Sequence, residues 1–232
     1  MKYIDGGICA AKGFIASGIN CGIKKSEKKD LALIISQEMA ATAGVYTKNL
    51  VKGAPIIVTQ KNISDGYARA IIVNSGNANT CNDNGIEIAE GMCELVEKYT
   101  DINSHDVVVA STGVIGQKLS LEPIAAGMPA LVRSLGKNSD DAAAAIMTTD
   151  TVKKELALEF EIGGKKVRMG AIAKGSGMIH PNMATMLVFV TTDAAISPEM
   201  LQKALDSCVG DTFNMISVDR DTSTNDTMIV MA

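Results

Sequence analysis

The chain has 232 residues, 47% of them hydrophobic, so it is long enough to bury a sizeable core, and its net charge of −4 lacks the electrostatic footprint of a nucleic-acid-binding protein. No apolar run is long enough to span a bilayer, so we expect no membrane partner. Five widely spaced cysteines without a Cys-x-x-Cys pair, and only two histidines, predict reduced thiols in a cytoplasmic protein and no metal site.

The first half of the chain alternates apolar β-type runs with helical patterns. Residues 6–23 are rich in glycine and alanine, which suits loops and short strands. Helical spacing of Ile88, Met92 and Val96 predicts a helix over 86–99. The β-branched and apolar runs predict five strands, at 31–36, 44–47, 55–59, 68–73 and 107–110.

The second half predicts further helices and a hairpin. Helical patterns cover 121–134, 139–147 and 198–209, and strands are predicted at 186–190, 214–218 and 227–232. A hairpin of 156–162 and 167–173 turns at Gly163-Gly164. Because the sequence ends inside the last apolar run, we expect a chain that is truncated at its carboxyl end.

A glycine-rich loop before the strand at 186–190 is the strongest candidate for chemistry. Lys174 is followed by Gly175, Ser176 and Gly177, residues that suit a loop whose amides and ammonium face an anion or carbonyl. If the hydroxyl of Thr185 attacks the carbonyl of Ala184 and the resulting ester is hydrolysed, Thr185 becomes a new N-terminus. Its α-amine, with a reference pKa of about 8, can then act as the base for its own hydroxyl. The residue types alone favour a plain turn before a strand.

Two other hydroxyl-bearing segments follow predicted elements. Thr112-Gly113 comes after the strand at 107–110, where a hydroxyl and a glycine amide can stabilise an oxyanion; an ordinary strand-to-helix turn is the alternative. Thr148 lies in a cluster of threonines around Asp150, which also fits a simple helix end. The sequence contains no Gly-x-Ser-x-Gly elbow, P-loop or dinucleotide fingerprint.

The run Lys-Gly-Ser-Gly-Met-Ile-His-Pro-Asn-Met-Ala-Thr-Met-Leu at 174–187 resembles the processing site of the ornithine acetyltransferase family, the glutamate N-acetyltransferases of arginine biosynthesis. Members of that family cleave themselves between the alanine and the threonine. Segments 74–79, 111–113 and 217–226 resemble other family segments in the same order. The family usually has glycine where this chain has Arg220.

The resemblance implies a function and a set of roles. Thr185 takes an acetyl group from N-acetylornithine and passes it to glutamate, while Thr112 and Gly113 hold the oxyanion. Thr148, Lys174 and Thr185 bind substrate, and the bond between Ala184 and Thr185 is the cleavage site. No cofactor is implied, although some members also take acetyl-CoA as donor. The implied fold is an α/β layered sandwich of mixed sheets flanked by helices.

The resemblance also implies how the chain is divided. Residues 1–184 form the alpha-chain part with the main acyltransferase domain, and 185–232 form the start of a truncated beta-chain part. Two processed chains form an alpha/beta heterotetramer. Two alternatives remain open: a self-processing aminopeptidase or amidase with the same threonine nucleophile, and a non-catalytic anion-binding module.

Overall fold

The computed structural model of the protein describes residues 1–179 and 186–232. The predicted cleavage site at Ala184-Thr185, and with it the predicted boundary between 1–184 and 185–232, lies outside the described residues. The described residues form nine strands and five helices. None of these helices is long and apolar enough to cross a membrane.

The strands and helices are numbered in chain order. The strands are β1 (Lys2–Tyr3), β2 (Phe14–Ile19), β3 (Leu31–Tyr46), β4 (Tyr67–Asn74), β5 (Val107–Ser111), β6 (Lys154–Ile162), β7 (Lys165–Lys174), β8 (Leu187–Thr192) and β9 (Thr227–Met231). The helices are α1 (Ala54–Asn62), α2 (Gly85–Tyr99), α3 (Glu122–Arg133), α4 (Ser139–Ile146) and α5 (Pro198–Val209).

The long strand β3 joins two sheets. Its first part, 31–36, pairs antiparallel with β2, and residues 31–35 pair with β4 as well. Its last part, 42–46, pairs antiparallel with β9. The full strand order is β1-β6-β7-β8-β9-β3-β4-β5, with β2 also on β3. The pairs β4/β5 and β8/β9 are parallel and the others are antiparallel, so both sheets are mixed.

Alternating side chains place the core between the two sheets. Ile34 of β3 and Ile71 of β4 face the same cluster as Ile172 of β7 and Phe189 of β8. Helix α4 packs into this layer, and its alanines together with Gly18 allow a close approach: a Cβ on Gly18 would lie 2.1 Å from the Asp141 carbonyl oxygen.

Helices cover the outer faces of both sheets. Leu33, Ile72 and Val109 pack with residues of α2 and α3, whereas Val188 and Val230 pack with Leu201 and Leu205 of α5. The result is a layered α/β sandwich of mixed sheets flanked by helices, and the fold class is confirmed.

Most predicted elements are confirmed, and four predicted strands differ. The segment 55–59 was predicted as a strand and is part of α1, because Pro55 favours the first turn of a helix and packing overrides the β-branched preference of Ile56 and Val58. The strands predicted at 31–36 and 44–47 are one strand, β3. The strand predicted at 214–218 is wrong, since a short 3₁₀ turn at Phe213–Met215 occupies that region.

Candidate active site

The site is built where the parallel strands β4 and β5 end. The loop after β4 is held by Asn74, whose side-chain Oδ1 accepts from the amides of Gly76 (3.2 Å) and Asn77 (3.0 Å). The loop after β5 joins it, since the Thr112 amide donates to the Asn74 carbonyl at 3.0 Å. Ligands of open α/β sheets bind beyond the carboxyl ends of the strands, and both loops lie at that edge.

Gly113 permits the close contact of these two loops. It has a φ of +129°, and a Cβ at this position would lie 2.6 Å from the Gly76 carbonyl carbon and 2.8 Å from the Asn77 nitrogen. No side chain fits there. The glycine therefore holds its own amide and the neighbouring Thr112 hydroxyl beside the 74–79 loop.

Lys174, the last residue of β7, brings the second sheet to the same place. Its side chain is 3% exposed, and Nζ donates to Thr112 Oγ1 at 3.3 Å. Burial lowers the pKa of Lys174, and the nearby carboxylates of Asp150 and Asp226 oppose that shift. A buried ammonium beside a hydroxyl can polarise a carbonyl or pair with a substrate carboxylate.

Asp150 positions Thr148 and the start of the glycine-rich loop. Its Oδ1 accepts from Lys154 Nζ at 2.6 Å and from the Gly175 amide at 2.8 Å, and its Oδ2 accepts from the Thr148 amide at 3.2 Å. Burial raises the pKa of Asp150, but these hydrogen bonds outweigh burial and hold it below its ordinary value. The carboxylate therefore links the end of α4 to the residue after β7.

A cleft of about 520 Å³ collects the predicted residues that the structure describes, namely Thr112, Gly113, Thr148 and Lys174. Ala184 and Thr185 lie outside the described residues. A groove of the same volume lies on the outer face of β6 to β9, but its lining surface is almost entirely apolar. The described residues contain no cluster of three or more His, Cys, Asp or Glu that could hold a metal ion.

Sequence reasoning missed two residues that build the cleft. Lys24 donates from Nζ to the Lys29 carbonyl (2.9 Å), Ser75 Oγ (2.7 Å) and the Met147 carbonyl (2.7 Å). Asn225 donates from Nδ2 to the carbonyls of Ala78 (2.6 Å) and Ser111 (3.0 Å). The resemblance of segment 217–226 was the signal for Asn225; no local pattern marked Lys24.

The turn at Asp219 and Arg220 supports the glycine-rich loop. Asp219 accepts from the amides of Met178 (2.5 Å) and Ile179 (2.9 Å). Arg220 has a φ of +67°, a left-handed conformation that favours glycine. An arginine therefore occupies a backbone conformation that glycine adopts with less strain.

The layered fold and the cleft define a class of protein: an α/β sandwich in which a hydroxyl, a glycine amide and a buried ammonium lie together, a set of groups that can stabilise an oxyanion. The ArgJ family model matches residues 15–232. The chain belongs to the ArgJ family.

Individual relatives agree with this assignment. The chain is 51% identical to the arginine biosynthesis bifunctional protein ArgJ of Caldanaerobacter subterraneus subsp. tengcongensis, over all of this chain and 58% of that protein. It therefore spans less than two thirds of the length of this curated relative. The crystal structure of ArgJ from Bacillus halodurans has 41% identity and a TM-score of 0.74, covering 79% of this chain and 97% of that one.

A second solved relative carries a ligand, and a third shows only the fold. The ornithine acetyltransferase of Mycobacterium tuberculosis complexed with ornithine has 35% identity and a TM-score of 0.71, covering 80% of this chain and 99% of that one. A β-aminopeptidase of Burkholderia sp. has 12% identity and a TM-score of 0.61, covering all of this chain and 74% of that one. At that identity the likeness extends to the fold alone.

Proposed function

We propose that the complete protein is a self-cleaving N-acetyltransferase that moves an acetyl group from N2-acetylornithine to glutamate through an acetyl-threonine intermediate. One observation carries the proposal. Lys174 pairs with Leu187 across β7 and β8, while its ammonium bonds Thr112. Thr185 precedes Leu187 by two residues, at most about 7 Å of chain. The predicted oxyanion group therefore contacts the residue that pairs with Leu187, the first residue of β8 and the second after the predicted nucleophile in the sequence.

Self-cleavage needs only the chain's own groups and one water molecule. The Thr185 hydroxyl oxygen attacks the Ala184 carbonyl carbon, the C–N bond breaks, and the hydroxyl proton ends on the freed α-amine. Water then hydrolyses the ester, leaving a carboxylate on Ala184 and a free hydroxyl and amine on Thr185. The first step passes through a tetrahedral oxyanion, which Thr112 and the Gly113 amide stabilise.

Acetyl transfer repeats the same chemistry on a substrate. The Thr185 hydroxyl attacks the acetamide carbonyl of N2-acetylornithine, and its α-amine base moves the proton to the departing amine of ornithine. The amine of glutamate then attacks the acetyl ester, giving N2-acetylglutamate and restoring the hydroxyl. Lys174 and Thr148 help to seat the substrate; a lysine acts here as a point charge for a carboxylate or carbonyl.

The comparisons support the substrate class and the cleavage position. One solved relative is an ornithine acetyltransferase with ornithine bound. The solved ArgJ-type chains are matched over 97% and 99% of their length, yet cover only 79% and 80% of this chain. Residues 1–184 make up 79% of the 232 residues, so a chain that ends at Ala184 accounts for this coverage.

Further features of the proposal follow from the family. We propose that 1–184 and 185–232 belong to the alpha and beta chains of a heterotetramer made from two processed chains in the cytoplasm. No cofactor is required by the two steps above, and acetyl-CoA is an alternative donor for the same acetyl ester.

The test is mass spectrometry of the protein expressed from the complete gene. We expect fragments that end at Ala184 and begin at Thr185, and N2-acetylornithine alone should add one acetyl mass to the second fragment. Thr185→Ala should remain uncleaved and inactive, whereas Thr185→Ser, which keeps a hydroxyl, should still cleave.

Glutamate separates the transferase from the self-processing amidase. Glutamate should discharge the acetyl fragment faster than water does. If the fragment never acquires acetyl, or glutamate leaves its decay unchanged, the transferase is wrong and the hydrolase is favoured. A protein that neither cleaves nor acetylates, and binds anions equally well as Thr185→Ala, would be the non-catalytic module.

A further inference from the structure

A buried carboxylic acid lies next to the segment that carries the predicted nucleophile. Asp226, which immediately precedes β9, is 1% exposed. Its Oδ1 accepts a hydrogen bond from the Met186 amide at 2.8 Å. Its Oδ2 has no hydrogen-bond partner of normal geometry in the described part of the chain.

The hydrogen bond to Met186 acts directly on the predicted site. The Met186 nitrogen is bonded to the carbonyl carbon of Thr185, and the peptide unit that joins them is planar. An acceptor that fixes this N–H therefore fixes the plane of the peptide unit. The Met186 carbonyl is held as well, since it accepts from the Thr227 amide at 3.0 Å. Residues 226 and 227 thus hold both polar backbone groups that follow Thr185.

A residue that served only to accept a hydrogen bond from Met186 would not need an ionisable side chain. A buried carboxyl group with one unpartnered oxygen is costly. Burial raises the pKa of Asp226 to about 8, although the Met186 amide, Ser223 and Lys174 act to lower it. Buried ionisable groups with strongly shifted pKa values are found more often at functional sites than in ordinary cores.

We propose that Asp226 is a positioning residue for the chemistry of Thr185: its carboxyl group holds the Met186 amide and thereby fixes the peptide unit that carries the nucleophile. The inference rests on the proposed function and assigns it a residue that acts through the backbone of the nucleophile's neighbour. Both reactions, cleavage and acetyl transfer, depend on the same orientation. Both should therefore respond to Asp226.

Three variants of the complete protein test the proposal. Asp226→Leu has a similar volume but accepts no hydrogen bond, and should lower both the cleavage rate and kcat by about 10²-fold, the scale of a misplaced reacting group, with KM within about threefold. Asp226→Asn keeps an accepting oxygen and should stay within about tenfold of the wild type. Thr59→Val is the control for lost stability, because it removes two buried hydrogen bonds to Val109 that involve neither Asp226 nor Met186; its kcat should not change.

Hydrogen exchange of the Met186 amide gives a readout that does not depend on activity. Its protection should persist in Asp226→Asn and fall in Asp226→Leu. The proposal is overturned if Asp226→Leu cleaves and turns over like the wild type, or if its Met186 amide stays equally protected. If Asp226→Leu does not fold, Asp226→Ala takes its place in both measurements. A wild type that neither cleaves nor transfers acetyl would overturn the proposed function, and the exchange experiment would still decide whether Asp226 holds Met186.

Discussion

Replacing Gly113 by alanine should show whether the close contact of the two loops matters for activity beyond its effect on stability. The new Cβ would lie 2.6 and 2.7 Å from the carbonyl carbon and oxygen of Gly76, and 2.8 Å from the Asn77 nitrogen. Non-bonded carbon atoms pack at about 3.5–4.0 Å, so the two loops must move apart by roughly 1 Å. Because the obstacle is the backbone peptide unit between Gly76 and Asn77, no side-chain rotation can relieve it.

Gly113→Ala should lower both the stability of the fold and the turnover of the enzyme. An alanine at a φ of +129° costs about 1–3 kcal/mol of stability through backbone strain alone. The displacement of the loops adds a loss of function, since a group misplaced by about 1 Å, or a lost oxyanion donor, lowers turnover by roughly 10²–10³-fold. We therefore expect Gly113→Ala to fold with reduced stability and to lose activity far beyond that reduction.

Gly116→Ala is the matched control. Gly116 also has a positive φ, +76°, but a Cβ there would meet nothing within 4 Å. It should therefore show a backbone cost of about 1–3 kcal/mol without the loss of turnover. The assay is kcat for acetyl transfer from N2-acetylornithine to glutamate, alongside urea denaturation of both variants. If the two variants have turnover within about twofold of each other, the close contact of the loops does not position the oxyanion group.

Three further predictions concern residues around the cleft. Lys24→Met removes three hydrogen bonds from one ammonium and should lower the free energy of unfolding by about 2 kcal/mol in urea denaturation, whereas the exposed Lys25→Met should leave it unchanged. Arg220→Gly relieves a left-handed φ of +67° and should raise the free energy of unfolding by about 0.5–1 kcal/mol, which appears as a higher melting temperature. A lower melting temperature would contradict the strain argument. For Asp226, burial raises the folded-state pKa from 3.8 to about 8, so the folded state binds the extra proton and its stability from this group is lost as pH rises from about 4 through 8. Asp226→Asn lacks that slope, so melting temperatures measured at pH 5 and pH 8 should shift in favour of the variant at the higher pH; parallel changes in both proteins would refute the raised pKa.

Periodic helices and short buried strands were within reach of the sequence. The helix over 198–209 is found with the predicted bounds; α2 and α4 differ from prediction by one residue at one end, and α3 by one residue at each end. Their apolar spacing is a local property, so one chain is enough to reveal it. The same holds for the hairpin of β6 and β7, whose Gly163 and Gly164 both have positive φ.

The long strand β3 could not be predicted as one strand from the sequence, because its two halves belong to different sheets. Residues 37–39 are exposed, and the register on β4 shifts between Ile35 and Ala40, so the apolar pattern is interrupted where the strand passes from one sheet to the other. The strand predicted at 55–59, which is part of α1, was wrong for a related reason. Its run of Ile56, Ile57 and Val58 has the composition of a strand, and only packing against β5 and α2, together with Pro55 in the first turn, makes it helical.

For the site, local pattern and resemblance contributed differently. Thr112-Gly113 and Lys174 were recognised as candidates from residue type, but nothing local placed them together, since 62 residues separate them and the Nζ–Oγ1 bond joins different sheets. Lys24 was hidden because a lysine in a basic run carries no sign of which acceptors it will meet. The three groups that it binds come from separate parts of the chain.

Two buried ionisable groups of the fold lie near the predicted site. The layer between the sheets is filled by residues such as Ile34, Ile71 and Phe189, which need no polar partners. Lys174 and Asp226, by contrast, are buried ionisable groups whose pKa values burial shifts toward the neutral form. Burying such groups opposes folding unless they are paired, and a sequence selected for stability alone would replace them with apolar side chains. Their positions at the end of β7 and just before β9, on either side of the strand that follows Thr185, fit the acyl-transfer site proposed above.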